Sequence, residues 1–526
     1  MKKSLLTILF IITPIFTFAE GKGLAERIND GFKPIADAWG SFVFYPVKFG
    51  NGVEMPLVII LLLLAGLIFT IIFKFVNIRR FPTSINIVKG KYDDIDHVTS
   101  DIMEGDPTPG GDAIETIRIE GAGEVSHFQA LTAALSGTVG LGNIAGVAVA
   151  LSLGGPGATF WMVIAGLLGM SSKFVECTLG VKYRDVGEGG RIYGGPMYYL
   201  RKGLADVGKS KLGKILAAVF AVMVVGGSFG GGNMFQANQA AQQFTSMIGS
   251  NNLSSALTFG VIMAVLVAVV IIGGIKRIGN ITEKIVPFMV GIYVVAAIII
   301  LAVNFVHIGD AFSQIMDGAF EPKGISGGIL GVLIIGFQRA AFSNEAGVGS
   351  AAIAHSAVKT KYPASEGLVA LLEPFIDTVV VCTMTALVII ITNSNGDVMT
   401  YGVKSPDGVL ATSKAFATVL PWFPYILTLA VVLFAFSTML SWSYYGLQGW
   451  MFLFGRSKKS DYTYKILFCL FVIVGSSVSL GAVTDFSDAM IFAMAVPNII
   501  GLFFLFPKVR EELVKYLKAI GVLKTS

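Results

Sequence analysis

The 526-residue chain is short of charge. Asp, Glu, Lys and Arg make up 14% of it, where soluble proteins carry about 25%. So little charge cannot dress a water-facing surface, which excludes an ordinary soluble enzyme or binding module. Cysteine is also scarce: Cys177, Cys382 and Cys469 lie far apart inside apolar stretches. With no CxxC pair and no Cys/His ligand spacing, they are expected to be small core residues rather than a disulfide framework or a metal site. No nucleophile stands with a base in a catalytic pattern, so neither an enzyme nor a resident cofactor is expected. The net charge of +5 does not point to nucleic acid. Its basic residues lie in short loops between apolar runs, which is how membrane orientation is written.

What is abundant is apolar: 54% of residues are hydrophobic and 62 are glycine. The N-terminus, MKKSLLTILFIITPIFTFAE, reads as a signal peptide over residues 1–19, followed by an extracytoplasmic segment 20–54. Eleven stretches then suffice to cross a bilayer, each about 20 residues: 55–77, 126–151, 155–181, 212–247, 255–275, 282–305, 326–354, 366–392, 422–454, 464–481 and 485–506. Residues 78–125 read as a polar cytoplasmic linker and 507–526 as a cytoplasmic tail. Alternate loops are basic, for example Arg79, Arg80, Lys89 and Lys91 after the first span, and Arg456, Lys458 and Lys459 after the ninth. The intervening loops are poor in basic residues; Lys323, Lys404 and Lys414 are the exceptions. That alternation places the N-terminus outside and the C-terminus in the cytoplasm.

Two spans are interrupted by matching strings. The second contains Ala133-Ala134-Leu135-Ser136-Gly137-Thr138-Val139-Gly140-Leu141-Gly142-Asn143. The seventh contains Ala340-Ala341-Phe342-Ser343-Asn344-Glu345-Ala346-Gly347-Val348-Gly349-Ser350. Ser136 matches Ser343, Gly140 matches Gly347 and Gly142 matches Gly349 at one offset of 207 residues. Each string opens a five-span half, 126–305 and 326–506, and an odd-numbered repeat is an inverted one. The expected fold is therefore an all-α polytopic membrane protein, about 11 transmembrane helices with a 5+5 inverted repeat and two discontinuous helices. Glycine pairs in mid-span weaken a helix, and the backbone groups so freed are tolerated only beside a polar cavity. Freed N–H groups suit a carboxylate and freed carbonyls suit a cation or an ammonium, so an amino-acid zwitterion with sodium fits both ends. Tight helix packing would explain the glycines, but not Ser136, Thr138, Asn143, Ser343, Asn344 and Glu345 at bilayer depth.

The strings ALSGTVGLGNIAGVAVALSLGGPGATFWM, GGPMYYL and FQRAAFSNEAGVGSAAIAHS resemble the alanine/glycine:cation symporters, the bacterial sodium:alanine symporters, over about residues 50 to 510. The resemblance implies a leucine-transporter-like fold with one extra N-terminal helix. It also implies sodium-coupled uptake of a small neutral amino acid, alanine or glycine in either enantiomer, by alternating access. Val139-Gly140-Leu141-Gly142-Asn143 is similar to the VGLGN break of the neurotransmitter:sodium symporters. That similarity implies a substrate carboxylate on the amides of Gly140, Leu141 and Gly142, an ammonium on the Thr138 carbonyl, Phe342 as a gate or packing partner of the substrate, and Ser343 as a ligand. It further implies a sodium cage of Ser136 and Val139 carbonyls with Ser437 and Thr438 hydroxyls, an all-oxygen set as a hard cation requires. Glu345 stands where those symporters carry a small residue, with either a structural or an ion-linked role.

Asn143 and Asn344 at the breaks, and Gln236 and Gln338 beside them, complete the substrate candidates, with Asn233 close by. Interhelical hydrogen bonding is the alternative reading of the last three, with Gln338 the stronger site candidate because it flanks the break. Glu373 and Asp377 are expected on one helix face in a structural network, and Glu176 is expected to pair with Lys173 one turn away. His355 follows the second break and offers a proton role. Proton coupling through Glu345, Glu373 or Asp377 is the alternative to sodium. The expected partners are the amino acid, sodium ion and lipid, with no nucleic acid; a monomer is compatible with all of this.

Overall fold

A computed structural model describes residues 37–49, 53–96, 123–187, 190–250, 252–321, 325, 327–394, 396–403, 408–478 and 480–523. The signal-like segment 1–19, most of the segment 20–54, residues 97–122 of the linker, and Lys323 and Lys404 lie outside these residues.

The helices used below are α1 (Leu57–Ile72), α2 (His127–Thr138), α3 (Val147–Gly154), α4 (Ala158–Lys182), α5 (Pro196–Asp206), α6 (Ser210–Phe229), α7 (Phe235–Met247), α8 (Leu253–Ile271), α9 (Gly274–Val303), α10 (Ile308–Phe320), α11 (Gly328–Asn344), α12 (Ala351–His355), α13 (Pro363–Val369), α14 (Thr383–Thr392), α15 (Gly408–Ala417), α16 (Phe423–Phe454), α17 (Lys458–Ser477) and α18 (Leu480–Ala519). Every apolar stretch read from the sequence falls on one of them or on an adjoining pair. Among the described residues, seven helical stretches are long and apolar enough to cross a membrane, or eight if the bent pair α2–α3 is one span. α1, with 16 residues, and α11, with 17, are apolar but shorter. At 1.5 Å per residue α1 rises only about 24 Å. It stops where Lys74 and Phe75 take φ of 53° and 57°, a left-handed pair that turns the chain aside.

Burial separates wall from core. The most apolar windows of α8 and α9 are 39% and 33% buried, against 67% for α4. Val261, Val265, Val269, Phe288 and Val295 accordingly face outward, as lipid-facing residues do. The buried interior holds the polar residues of both breaks, among them Ser136, Asn143, Ser343 and Asn344.

Three stretches read as loops hold structure. Residues 182–211 contain the antiparallel pair Asp185–Val186 and Ile192–Tyr193, then α5. Residues 306–325 contain α10. Residues 393–421 contain α15, whose Thr412 hydroxyl donates to the Ile144 carbonyl at 3.0 Å. α15 is thus packed on the first break, and at ten residues it is too short and too polar to declare itself as a span.

Candidate functional site

The first break is made by sequence chemistry at both ends of α2. Its start is fixed by a capping box in which Ser126 and Gln129 each accept the other's backbone N–H at 3.2 Å. Its end is fixed by Val139, which turns extended (φ −73°, ψ 96°). A π-helical turn, Gly142–Gly146, then restarts the helix, and α3 leaves at 49° to α2. The second break follows α11, where Glu345 is left-handed (φ 55°) and Gly347 and Gly349 have φ of 82° and 94°. α12 then resumes. The outer ends of the two broken helices are stapled by backbone: Glu124 N–H donates to Ala357 O at 2.7 Å and Lys359 N–H to Val125 O at 2.8 Å.

A small cavity lies where the breaks meet. Gly137, Thr138, Gly140 and Gly142 line it from the first; Phe342, Ser343 and Glu345 line it from the second. Gly231 and Gln236 of the fourth span, Trp442 of α16 and Ile491 of α18 close it. The Gly140 amide donates to Asn143 Oδ1 at 2.8 Å. The Leu141 and Gly142 amides find no backbone acceptor among the described residues. A Cβ on Gly140 would lie 2.6 Å from Thr438 Oγ1, so Thr438 faces the break directly. Its hydroxyl and Gln236 Oε1 are buried without hydrogen-bond partners among the described residues. Buried unsatisfied oxygens beside open amides are what a zwitterion and a cation would complete. Ser136 donates to the Ser437 carbonyl at 2.6 Å and meets Ser441 at 2.9 Å, so α2 and α16 are joined at this level. The Ser437 hydroxyl donates to Phe434 O at 3.0 Å.

The other candidates separate. Gln338 is partly exposed and does not line the cavity. Asn233 donates to Phe468 O at 2.7 Å, an interhelical bond. Asn344 turns to the opposite side, bonding Thr378 Oγ1 at 2.8 Å and facing a second small cavity.

Asp377 emerges as the hub between the breaks. It accepts from Asn143 Nδ2 at 2.6 Å, Ser343 Oγ at 2.9 Å and Thr378 Oγ1 at 2.7 Å. It reaches both because residues Phe375–Cys382 form a π-helix. Asp377 and Glu373 take separate partners: Asp377 serves the two breaks, while Glu373 meets Lys173 and His355. The expected Lys173–Glu176 pair is replaced as well. Lys173 donates to Glu373 at 3.0 Å, and Glu176 accepts from Asn498 Nδ2 at 3.0 Å. Both groups are fully buried, and a cross-helix partner is reached where a neighbour on the same helix is not. From Glu373 the network continues through His355 to Glu366, and on to His127. Both His355 ring nitrogens face carboxylates, so each must carry a hydrogen or meet a protonated acid. Sequence reasoning missed Trp442, Ile491 and the Arg339–Asp488 ion pair. A tryptophan or isoleucine in an apolar run carries no signal of its own, whereas Arg339 inside a span did.

A family model described as the sodium:alanine symporter family matches residues 109–524. The sodium/alanine symporter AgcS of Methanococcus maripaludis is 40% identical over 451 residues, 86% of this chain and 92% of that protein. The probable sodium/glutamine symporter GlnT of Bacillus subtilis is 31% identical over 452 residues, 85% of each. The crystal structure of MhsT in complex with L-phenylalanine aligns with TM-score 0.50 at 16% identity, covering 76% of this chain and 99% of that one. That last likeness speaks to the fold alone, a leucine-transporter-type arrangement of helices.

Proposed function

The chain belongs to the sodium:alanine symporter family, and from that premise we propose that it carries alanine or glycine by alternating access. It is a multi-pass membrane protein and a sodium-coupled amino-acid symporter, with sodium as the co-transported ion and no enzymatic activity. The observation that carries the finer reading is the cavity between the two breaks. It offers the Leu141 and Gly142 amides at one side, unsatisfied Thr438 and Gln236 oxygens at another, and bulky walls around a small space.

In this reading the substrate carboxylate lies on the Gly140–Gly142 backbone, with Asn143 giving up or sharing the Gly140 amide. The Thr138 carbonyl takes the ammonium, while Phe342 and Ser343 close the second break. Ser136 and Val139 carbonyls with Ser437 and Thr438 hydroxyls hold sodium; the buried, unpartnered Thr438 hydroxyl beside Gly140 favours this set. Asn344 and Gln338 are outer positions that support the breaks rather than touch the cargo. The sites lie in the halves 126–305 and 326–506 of an inner-membrane protein with its N-terminus outside, as the basic loops favour.

The test is uptake of labelled alanine, glycine and glutamine into proteoliposomes, with sodium and proton gradients imposed separately. Alanine or glycine uptake driven by sodium at fixed pH is expected. Uptake that follows only the proton gradient, or favours glutamine, would refute the reading.

A further inference from the structure

Glu345 is an anomaly on two counts. It is an acid sealed inside a membrane protein, 3% exposed, and it has a left-handed backbone at φ 55° and ψ 21°, which side-chain-bearing residues rarely adopt. Glycine serves the same turn at Gly347 and Gly349, so the glutamate side chain is kept at a position where glycine would be relaxed. Strain of that kind gathers where a side chain has work at a site. Both of its oxygens are occupied. Oε1 accepts the Trp442 indole N–H at 3.0 Å, and Oε2 accepts the Ser350 hydroxyl.

Trp442 is held on its other sides by packing. A Cβ on Gly232 would fall 2.2 Å from the Trp442 Cγ, and one on Gly227 3.3 Å from its Cζ3. The indole therefore lies in a glycine trough and packs edge-on against Tyr445 at 5.4 Å. In a dry site the indole N–H needs an acceptor, and Glu345 is the one it has. Once the carboxylate and ammonium of a zwitterion are placed on the first break, the large apolar walls left for its side chain are Trp442, Ile491 and Phe342, with Gly231, Gln236, Ser343 and Glu345 completing the lining. Phe342 has its own supports, Phe235 edge-on at 5.6 Å and the Arg339 guanidinium at 5.5 Å.

Resting on the proposed amino-acid reading, we infer that Glu345 is a positioning residue for substrate size. Its carboxylate fixes the Trp442 indole as the wall of the side-chain subsite, and that wall restricts the cargo to small side chains. Glu345 thus acts through Trp442 and is no ligand of the co-transported cation.

The test measures sodium-driven uptake of alanine and valine in proteoliposomes and reads the alanine-to-valine ratio of kcat/KM. Glu345→Ala leaves the indole N–H without its acceptor, and the ratio is expected to fall about tenfold. Glu345→Gln keeps an acceptor oxygen, so its ratio should stay within about twofold of the parent. Trp442→Phe loses the same bond from the other side, should match Glu345→Ala, and should add nothing when combined with it. If Glu345→Ala cannot be recovered folded, Glu345→Asp, whose shorter side chain draws the acceptor back from the indole, takes its place. The sodium concentration for half-maximal alanine uptake should not move in Glu345→Ala. An unchanged ratio in both truncations would overturn the inference. So would Glu345→Gln behaving as Glu345→Ala, or a shifted sodium response with the ratio intact. A parent protein without sodium-driven alanine uptake would strike the underlying reading instead.

Discussion

Replacing Lys173 by methionine should destabilise the protein in a way that fades with acid. Lys173 and Glu373 are both fully buried with 3.0 Å between nitrogen and oxygen. Methionine fills the stem's space and removes the cation, and breaking one side of such a pair costs about 3–5 kcal/mol. The variant keeps the His355 contact to Glu373 but leaves the acid without its cation, and its escape is to take up a proton there. For an ordinary glutamate that proton costs about 3.7 kcal/mol at pH 7 and about 1.6 kcal/mol at pH 5.5. The loss at pH 7 should therefore stand at about 3–4 kcal/mol, and about 2 kcal/mol of it should vanish by pH 5.5. Unfolding in mixed detergent micelles, followed by tryptophan fluorescence, measures the difference between parent and Lys173→Met at each pH. Lys173→Met/Glu373→Gln should regain most of the loss at pH 7. A penalty that does not change with pH, or a double variant no more stable than the single one, would refute the reasoning.

Three further outcomes are expected. Gly140→Ala places a Cβ 2.6 Å from the Thr438 hydroxyl, an overpacking worth about 1–3 kcal/mol, so uptake should drop at least about tenfold with normal protein in the membrane. Thr438→Ala should weaken activation by sodium more than it weakens alanine affinity at saturating sodium; equal sodium activation curves would remove Thr438 from the cage. Asp185, outside the membrane, is pushed up by burial, but the Lys202 and Arg456 hydrogen bonds and charges outweigh this and leave its carboxyl below the usual range. Its pairing therefore stabilises the fold above the ordinary aspartate range and is lost as pH falls through the depressed value. Asp185→Asn should then cost at most about 1 kcal/mol at pH 7, less in high salt and nothing in strong acid, read from the same unfolding assay.

The breaks were legible because Gly, Ser and Asn in mid-span contradict their apolar surroundings. The membrane class was legible because charge was missing. Asp377 was visible as an intramembrane acid, but its partners were not. Phe375–Cys382 reads as ordinary helix, and its π-winding, with Asp377 bonded to Asn143 and Ser343, shows only in the fold. Lys173 was assigned to its neighbour Glu176 because helical spacing is all that a sequence offers. The partner it took, Glu373, lies 200 residues away. α15 went unread because ten residues with Thr412, Ser413 and Lys414 look like loop until the first break is there to pack against. Trp442 was hidden by its setting: one more aromatic residue in a long apolar helix.

The buried polar bonds have a consequence for where spectroscopic labels should be placed. Lys173–Glu373, His127–Glu366, Asn143–Asp377 and Asn344–Thr378 all lie among the two broken helices, α4 and the stretch from α13 to α14. Breaking such bonds away from water is expensive, so these four spans should travel as one piece through the cycle. A pair of spin labels on α4 and α13 should give one narrow distance with or without sodium and alanine. A pair on α4 and α17, which share no such bond among the described residues, should give a distance that shifts or broadens. The electrostatic map of the interior thereby marks in advance which distances are rulers and which are reporters.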